Sequence, residues 1–164
     1  MKKIWAITMT TILLALSLTA CGGAGSSASG KAGNYIGTWA EESSERVIMM
    51  VRESEDMEGY YDIVVTWRED LPQKDTYFMH GRLEDDGTLT YTDCMYVIRY
   101  YEDDETYSDE VEYINGSGVI SYDDKTISWT ERDGETDEVT STKFIKADDL
   151  TIEWPSTEIV VSNE

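Results

Sequence analysis

The chain has 164 residues and a formal charge of −21, from 34 Asp and Glu against 13 Lys and Arg. So acidic a chain disfavours nucleic acid and anionic headgroups as partners, and draws in cations or basic proteins. Its two cysteines, Cys21 and Cys94, are too few for a disulfide framework or a cysteine metal cluster.

Residues 1–20 contain no acid; Lys2 and Lys3 make a positive start and 4–18 is largely apolar. This is the layout of a secretory signal, and its apolar part is shorter than the roughly 20 residues a spanning helix needs. The segment ends Leu18-Thr19-Ala20-Cys21-Gly22, which resembles the bacterial lipobox: an aliphatic residue, a small one, Gly or Ala, then Cys. The resemblance implies that the Cys21 thiol takes a diacylglycerol and that the chain is cut just before it. The protein is then lipid-anchored on the extracytoplasmic face of the cell membrane, two acyl chains being enough for stable anchoring. Loss of Lys2 and Lys3 with the signal would take the formal charge from −21 to −23. Residues 22–34, GGAGSSASGKAGN, have no apolar period and read as a flexible tether with a root-mean-square span on the order of 20 Å.

From Tyr35 onward the composition changes to Tyr, Thr, Val and Ile, with only Leu71, Leu83, Leu89 and Leu150 as leucines. That composition favours strands over helices, and the apolar period is two. Strands are predicted over 35–41, 45–53, 59–68, 75–84, 88–101, 107–122, 125–131 and 140–146. Val47, Met49 and Val51 share a face, as do Tyr61, Ile63, Val65 and Trp67, and Ile127 with Trp129. Tyr77, Met79 and Leu83 lie on one side of their strand, with Phe78 and His80 on the other. Asp85-Asp86-Gly87, Asp123-Asp124 and Arg132-Asp133-Gly134 mark turns, and Gly116 with Gly118 allows a bend in the longest strand.

Eight short antiparallel strands joined by hairpins suit a single closed up-and-down barrel over 35–146, which removes exposed sheet edges; the alternative is an open β-sandwich. Tyr35-Ile36-Gly37-Thr38-Trp39 resembles the Gly-x-Trp start of lipocalin-like barrels, in which the Trp plugs the closed end. A longer succession runs from there through Gly59-Tyr60-Tyr61-Asp62-Ile63, Trp67, Gly81 and Leu89-Thr90-Tyr91-Thr92-Asp93. It continues through Gly116-Ser117-Gly118, Ile127-Ser128-Trp129, Phe144 and Lys146, and resembles a group of uncharacterised lipoproteins from clostridial gut bacteria. That likeness implies the barrel and no activity. Residues 147–164, with short apolar runs at 150–154 and 157–161 around Pro155, form an extension that either caps the barrel or adds to an edge.

The chemistry expected of these residues is binding rather than catalysis. The single histidine, His80, sits within a strand with no nucleophile nearby in sequence, which argues against Ser/His/Asp or Cys/His hydrolysis. Asp62, Asp93 and Glu112 interrupt apolar runs and are the carboxylates available to a glycosidase-like pair, although outward-facing positions explain them too. Zinc lacks ligands, and the acid-rich stretches 84–87 and 102–105 lack EF-hand spacing. Cys94 reads as a buried small hydrophobe. Tyr96, Tyr100, Tyr101, Tyr107 and Tyr113 gather on one hairpin and offer an amphipathic surface.

The sequence therefore points to a non-catalytic binding module for a small ligand or an envelope partner, without metal or cofactor. Tyr61, Ile63, Val65 and Trp67 would line its ligand site. The alternatives are an inhibitor of a cationic host protein such as lysozyme, and a carboxylate-based hydrolase.

Overall fold

The computed structural model describes residues 33–160, apart from 68–71, 102–105, 134–135 and 137. The signal, Cys21 and most of the tether lie outside the described residues, as do 161–164 and the acid-rich 102–105.

Eight strands form a closed antiparallel barrel in which each strand pairs with its neighbours in sequence and the last pairs with the first. They are β1 (Gly37–Glu41), β2 (Val47–Glu53), β3 (Tyr60–Trp67), β4 (Gln73–Leu83), β5 (Leu89–Tyr101), β6 (Tyr107–Asp123), β7 (Thr126–Arg132) and β8 (Val139–Lys146). The up-and-down barrel is the expected architecture, and the open sandwich is excluded by the β1–β8 ladder of Trp39, Ala40 and Glu41 against Lys146, Ile145 and Phe144.

An eight-stranded barrel is just wide enough for side chains to fill it, and here large ones do. Trp39, Met49, Val51, Tyr61, Ile63, Val65, Met79, Leu89, Tyr91, Ile120, Ile127, Trp129 and Phe144 make one buried cluster. Small residues on β6 admit the rings: a Cβ on Gly118 would overlap the Tyr91 hydroxyl and the Thr130 carbonyl, and one on Gly116 would press on the Tyr113 ring and Cys94. The β5–β6 ladder shifts register between Tyr91 and Val97, which bends both long strands around the barrel.

One end is closed from within. Tyr35 precedes β1 in a turn rather than in a strand, with its ring inserted; its hydroxyl donates to the Gly87 carbonyl at 2.7 Å and accepts from the Tyr122 amide at 3.1 Å. Trp39 Nε1 donates to the Tyr35 carbonyl at 2.8 Å, and the Lys146 ammonium lies 4.3 Å from the Trp39 ring centre. The Gly-x-Trp segment thus seals the end bounded by the β2–β3, β4–β5 and β6–β7 turns.

Residues 147–160 neither cap an end nor add a strand. They cross the outside of the barrel, where Leu150, Ile152, Trp154 and Ile159 pack on Ala40, Ile48, Met50, Val64, Phe78 and Val97. This strap accounts for the unbroken apolar runs of β2 and β3, which are buried on both faces. Its far end is clasped by a buried ion pair. Arg99 Nε and Nη2 donate to the two Asp109 carboxylate oxygens at 2.7 and 3.0 Å, and its guanidinium also donates to the carbonyls of Ser156 and Glu158 at 3.0 and 3.1 Å. Asp109 closes the ring: its amide donates to the Val160 carbonyl and its carboxylate accepts from the Val160 amide. Extension and barrel are one packed unit.

A candidate binding site at the barrel mouth

The end opposite Trp39 is bounded by the turns after β1, β3, β5 and β7 and is lined differently. Tyr77 on β4 faces Tyr96 on β5, and Tyr96 faces Tyr113 on β6 in the ladder. Inward positions on three consecutive strands thus place three phenols side by side. The Tyr77 and Tyr96 rings stack 4.6 Å apart and nearly parallel, and Tyr113 tilts against Tyr96 at 5.4 Å. Trp67, at the end of β3, extends the row by stacking on Tyr77 at 6.4 Å.

The next strand ends the row with an acid. Along β7 the inward positions are Ile127, Trp129 and Glu131, so strand alternation turns a carboxyl into the barrel. Glu131 is only 7% exposed, and the Tyr113 hydroxyl donates to it. Burial raises the Glu131 pKa above the usual carboxylate range, with the Asp133 charge adding to the shift and the Tyr113 bond opposing it. No basic side chain pairs with it among the described residues. The phenols of Tyr77, Tyr96 and Tyr113 are pushed up, first by burial and then by neighbouring acids, so they stay protonated donors.

Tyr77, Tyr96, Tyr113 and Glu131, with Asp133, Glu138 and Thr140, line a half-open cavity of about 120 Å³. A shallower hollow of about 340 Å³ lies against Trp67, Pro72, Gln73 and Asp75. Below the cavity the barrel is shut: Trp129 meets Tyr77 edge-on at 5.3 Å and donates through Nε1 to the Tyr91 hydroxyl at 2.7 Å. The mouth is an aromatic cup with one buried carboxyl and an acidic rim.

Of the four residues expected to line a ligand site, all share one face of β3, but Tyr61, Ile63 and Val65 are closed into the core. Trp67 alone reaches the mouth. The tyrosine hairpin divides: Tyr96 and Tyr113 turn in to the cup, Tyr100 is exposed, and the Tyr107 hydroxyl donates to Ser156 Oγ of the strap at 2.9 Å. Glu131 escaped the sequence reading, although the alternation Ile127, Trp129, Glu131 was there to be followed one step further.

The carboxylates singled out for catalysis lie elsewhere. Asp62 and Asp93 flank His80 on the outer surface, 3.9 Å from Nε2 and 3.1 Å from Nδ1, and Arg52 pairs with Asp62 at 3.2 Å. Arg52, Asp62 and His80 border a groove of about 330 Å³ beside Trp154 of the strap. Glu112 is exposed on β6. Cys94 is fully buried and its thiol is pushed up by burial. Among the described residues no group of three or more His, Cys, Asp or Glu is placed to hold a metal ion, and no helix is long and apolar enough to cross a membrane. No known family, curated protein or solved structure matches this chain.

Proposed function

We propose that this protein is a lipoprotein of the extracytoplasmic membrane face, anchored through Cys21, whose barrel is a non-catalytic binding module working through its open mouth. The observation that carries the reading is the cup itself: Trp67, Tyr77, Tyr96 and Tyr113 in a row ending at Glu131, above a packed floor. With Tyr61, Ile63 and Val65 in the core, a ligand meets the rim of the barrel rather than its interior. Convergent aromatic walls with few polar groups are the common makeup of small-molecule sites, and a cavity this small takes a compact molecule or the tip of a larger one. The cup needs neither metal nor cofactor.

A second reading, capture of a cationic protein such as lysozyme, is favoured by the net charge, −23 once Lys2 and Lys3 leave with the signal, and by the acidic rim of Asp75, Asp133 and Glu138. Association would then be fast at low salt and slow steeply as salt rises.

Native mass spectrometry of the full chain, extracted gently from bacterial membranes in neutral detergent, tests the first reading. The expected result is an added small mass that leaves on denaturation and is absent from Tyr96→Leu. A clean unliganded mass, with retention of the protein on immobilised lysozyme that salt abolishes, would replace it with the second.

A further inference from the structure

Resting on the reading of the mouth as the binding site, we infer that its ligand is a small methylated ammonium, of which choline and tetramethylammonium are the simplest examples. The walls narrow the choice by elimination. An anion would meet Glu131, Asp133 and Glu138 together in the same cavity. A wholly apolar group would cover Glu131 without compensating a carboxyl already removed from water. A dehydrated calcium or magnesium ion needs about six or more oxygen ligands, whereas among the described residues no group of three or more His, Cys, Asp or Glu, the acids of this cavity included, is placed to hold a metal ion.

A cation with an apolar skin satisfies both halves of the site. Its charge is attracted by the Glu131 carboxylate and by the Asp133 and Glu138 acids beside it, while its methyl groups pack against the tyrosine rings that line the cavity. The Tyr113 bond also selects among cations. It takes one acceptor site on one oxygen of Glu131, so a guanidinium gripping both oxygens in parallel would share that oxygen with the phenol. A primary ammonium brings three N–H donors that each need a partner when buried; a quaternary one brings none. Size agrees: a cavity of about 120 Å³ is comparable to the roughly 150 Å³ that accommodates benzene in an engineered apolar site. The rigid Tyr77–Tyr96 stack keeps the cup formed before the ligand arrives, so little ordering cost attends binding.

The test compares choline with 3,3-dimethylbutan-1-ol, the same shape with carbon in place of the charged nitrogen. The full chain in neutral detergent is used, and the methyl singlet of each probe is followed by saturation-transfer NMR. Choline is expected to bind with saturation passed from the protein to its methyl resonance, and the neutral alcohol at least tenfold more weakly. Glu131→Gln and Tyr96→Leu should each weaken choline about tenfold or more, while n-butylguanidinium competes poorly. The comparison of the two probes on the unsubstituted chain stands even if a variant misfolds. Equal binding of alcohol and choline, both lost in Tyr96→Leu, would overturn the ammonium assignment and leave the mouth as the site. Binding of neither probe, with a native bound mass that Tyr96→Leu retains, would overturn both.

Discussion

Replacing Asp109 with alanine should unfasten the strap and cost more than the same change at any other carboxylate among the described residues. The Arg99 side chain is 2% exposed and that of Asp109 is fully buried, with two direct bonds between them at 2.7 and 3.0 Å. Truncating Asp109 leaves the guanidinium buried without its counter-charge and deprives the Val160 amide of its acceptor. Removing one partner of a buried pair costs about 3–5 kcal/mol. For a domain of this size, where 1 kcal/mol moves Tm by about 3–5 °C, the midpoint should fall by roughly 10–20 °C. The double substitution Arg99→Met with Asp109→Leu, which removes both charges and keeps apolar volume, should recover only the part due to the unpaired charge, because the Val160 amide and the Ser156 and Glu158 carbonyls still lose their partners. Thermal unfolding followed by near-ultraviolet circular dichroism measures both. A loss below about 1 kcal/mol for Asp109→Ala, the range of exposed ion pairs, would refute the clasp.

Glu131→Gln should be more stable than the parent at neutral pH. The folded protein raises the Glu131 pKa, chiefly by burial, so the stability this group contributes is complete below the unfolded pKa, about 4.3. It is lost as pH rises through the folded value. The Tm advantage of the variant should therefore shrink to nothing near pH 4, and an advantage independent of pH would contradict the assignment. Gly118→Ala forces a methyl into the Thr130 carbonyl and the Tyr91 hydroxyl and should cost about 1–3 kcal/mol by urea unfolding; a neutral effect would mean that β6 lies further from β7. Cys94, fully buried with its thiol pushed up, should react with a thiol reagent only at the rate of unfolding, and rapid labelling in native buffer would show otherwise. Cys21→Ser should abolish both acyl mass and membrane attachment, and survival of either would remove the lipid anchor from the account.

The barrel was legible because its inner face obeys a period of two with little interruption. Val47, Met49 and Val51 on β2 and Tyr61, Ile63 and Val65 on β3 point inward as expected, and Asp85-Asp86-Gly87 turns where its chemistry requires. The function of those residues was not legible, because one inward stripe serves equally as cavity lining and as core. Only the ring volumes of Trp39, Tyr91, Trp129 and Phe144, meeting from strands far apart in sequence, decide that the interior is full. The strap shows the converse difficulty. Its Leu150, Ile152 and Trp154 read as a short strand, and the surface they cover is the outward parity of β2, β3 and β4, which alternation assigns to solvent. The continuous runs Val47-Ile48-Met49-Met50-Val51 and Ile63-Val64-Val65 carried the hint of burial on both faces. Arg99 and Asp109 carried none, since charged residues on a strand look solvated until something lies over them. The mouth falls between these cases: Trp67 and the tyrosines were visible, but their convergence on Glu131 depends on the shifted β5–β6 register.

Ligand meets the mouth and not the core. NMR of the chain carrying isotope-labelled tyrosine rings, titrated with the small molecule recovered from the native complex, separates the two directly. The ring signals of Tyr77, Tyr96 and Tyr113 should move together while those of Tyr35, Tyr61 and Tyr91 stay in place. Movement of Tyr61 and Tyr91 with the mouth tyrosines unchanged would contradict it and put the ligand inside the barrel.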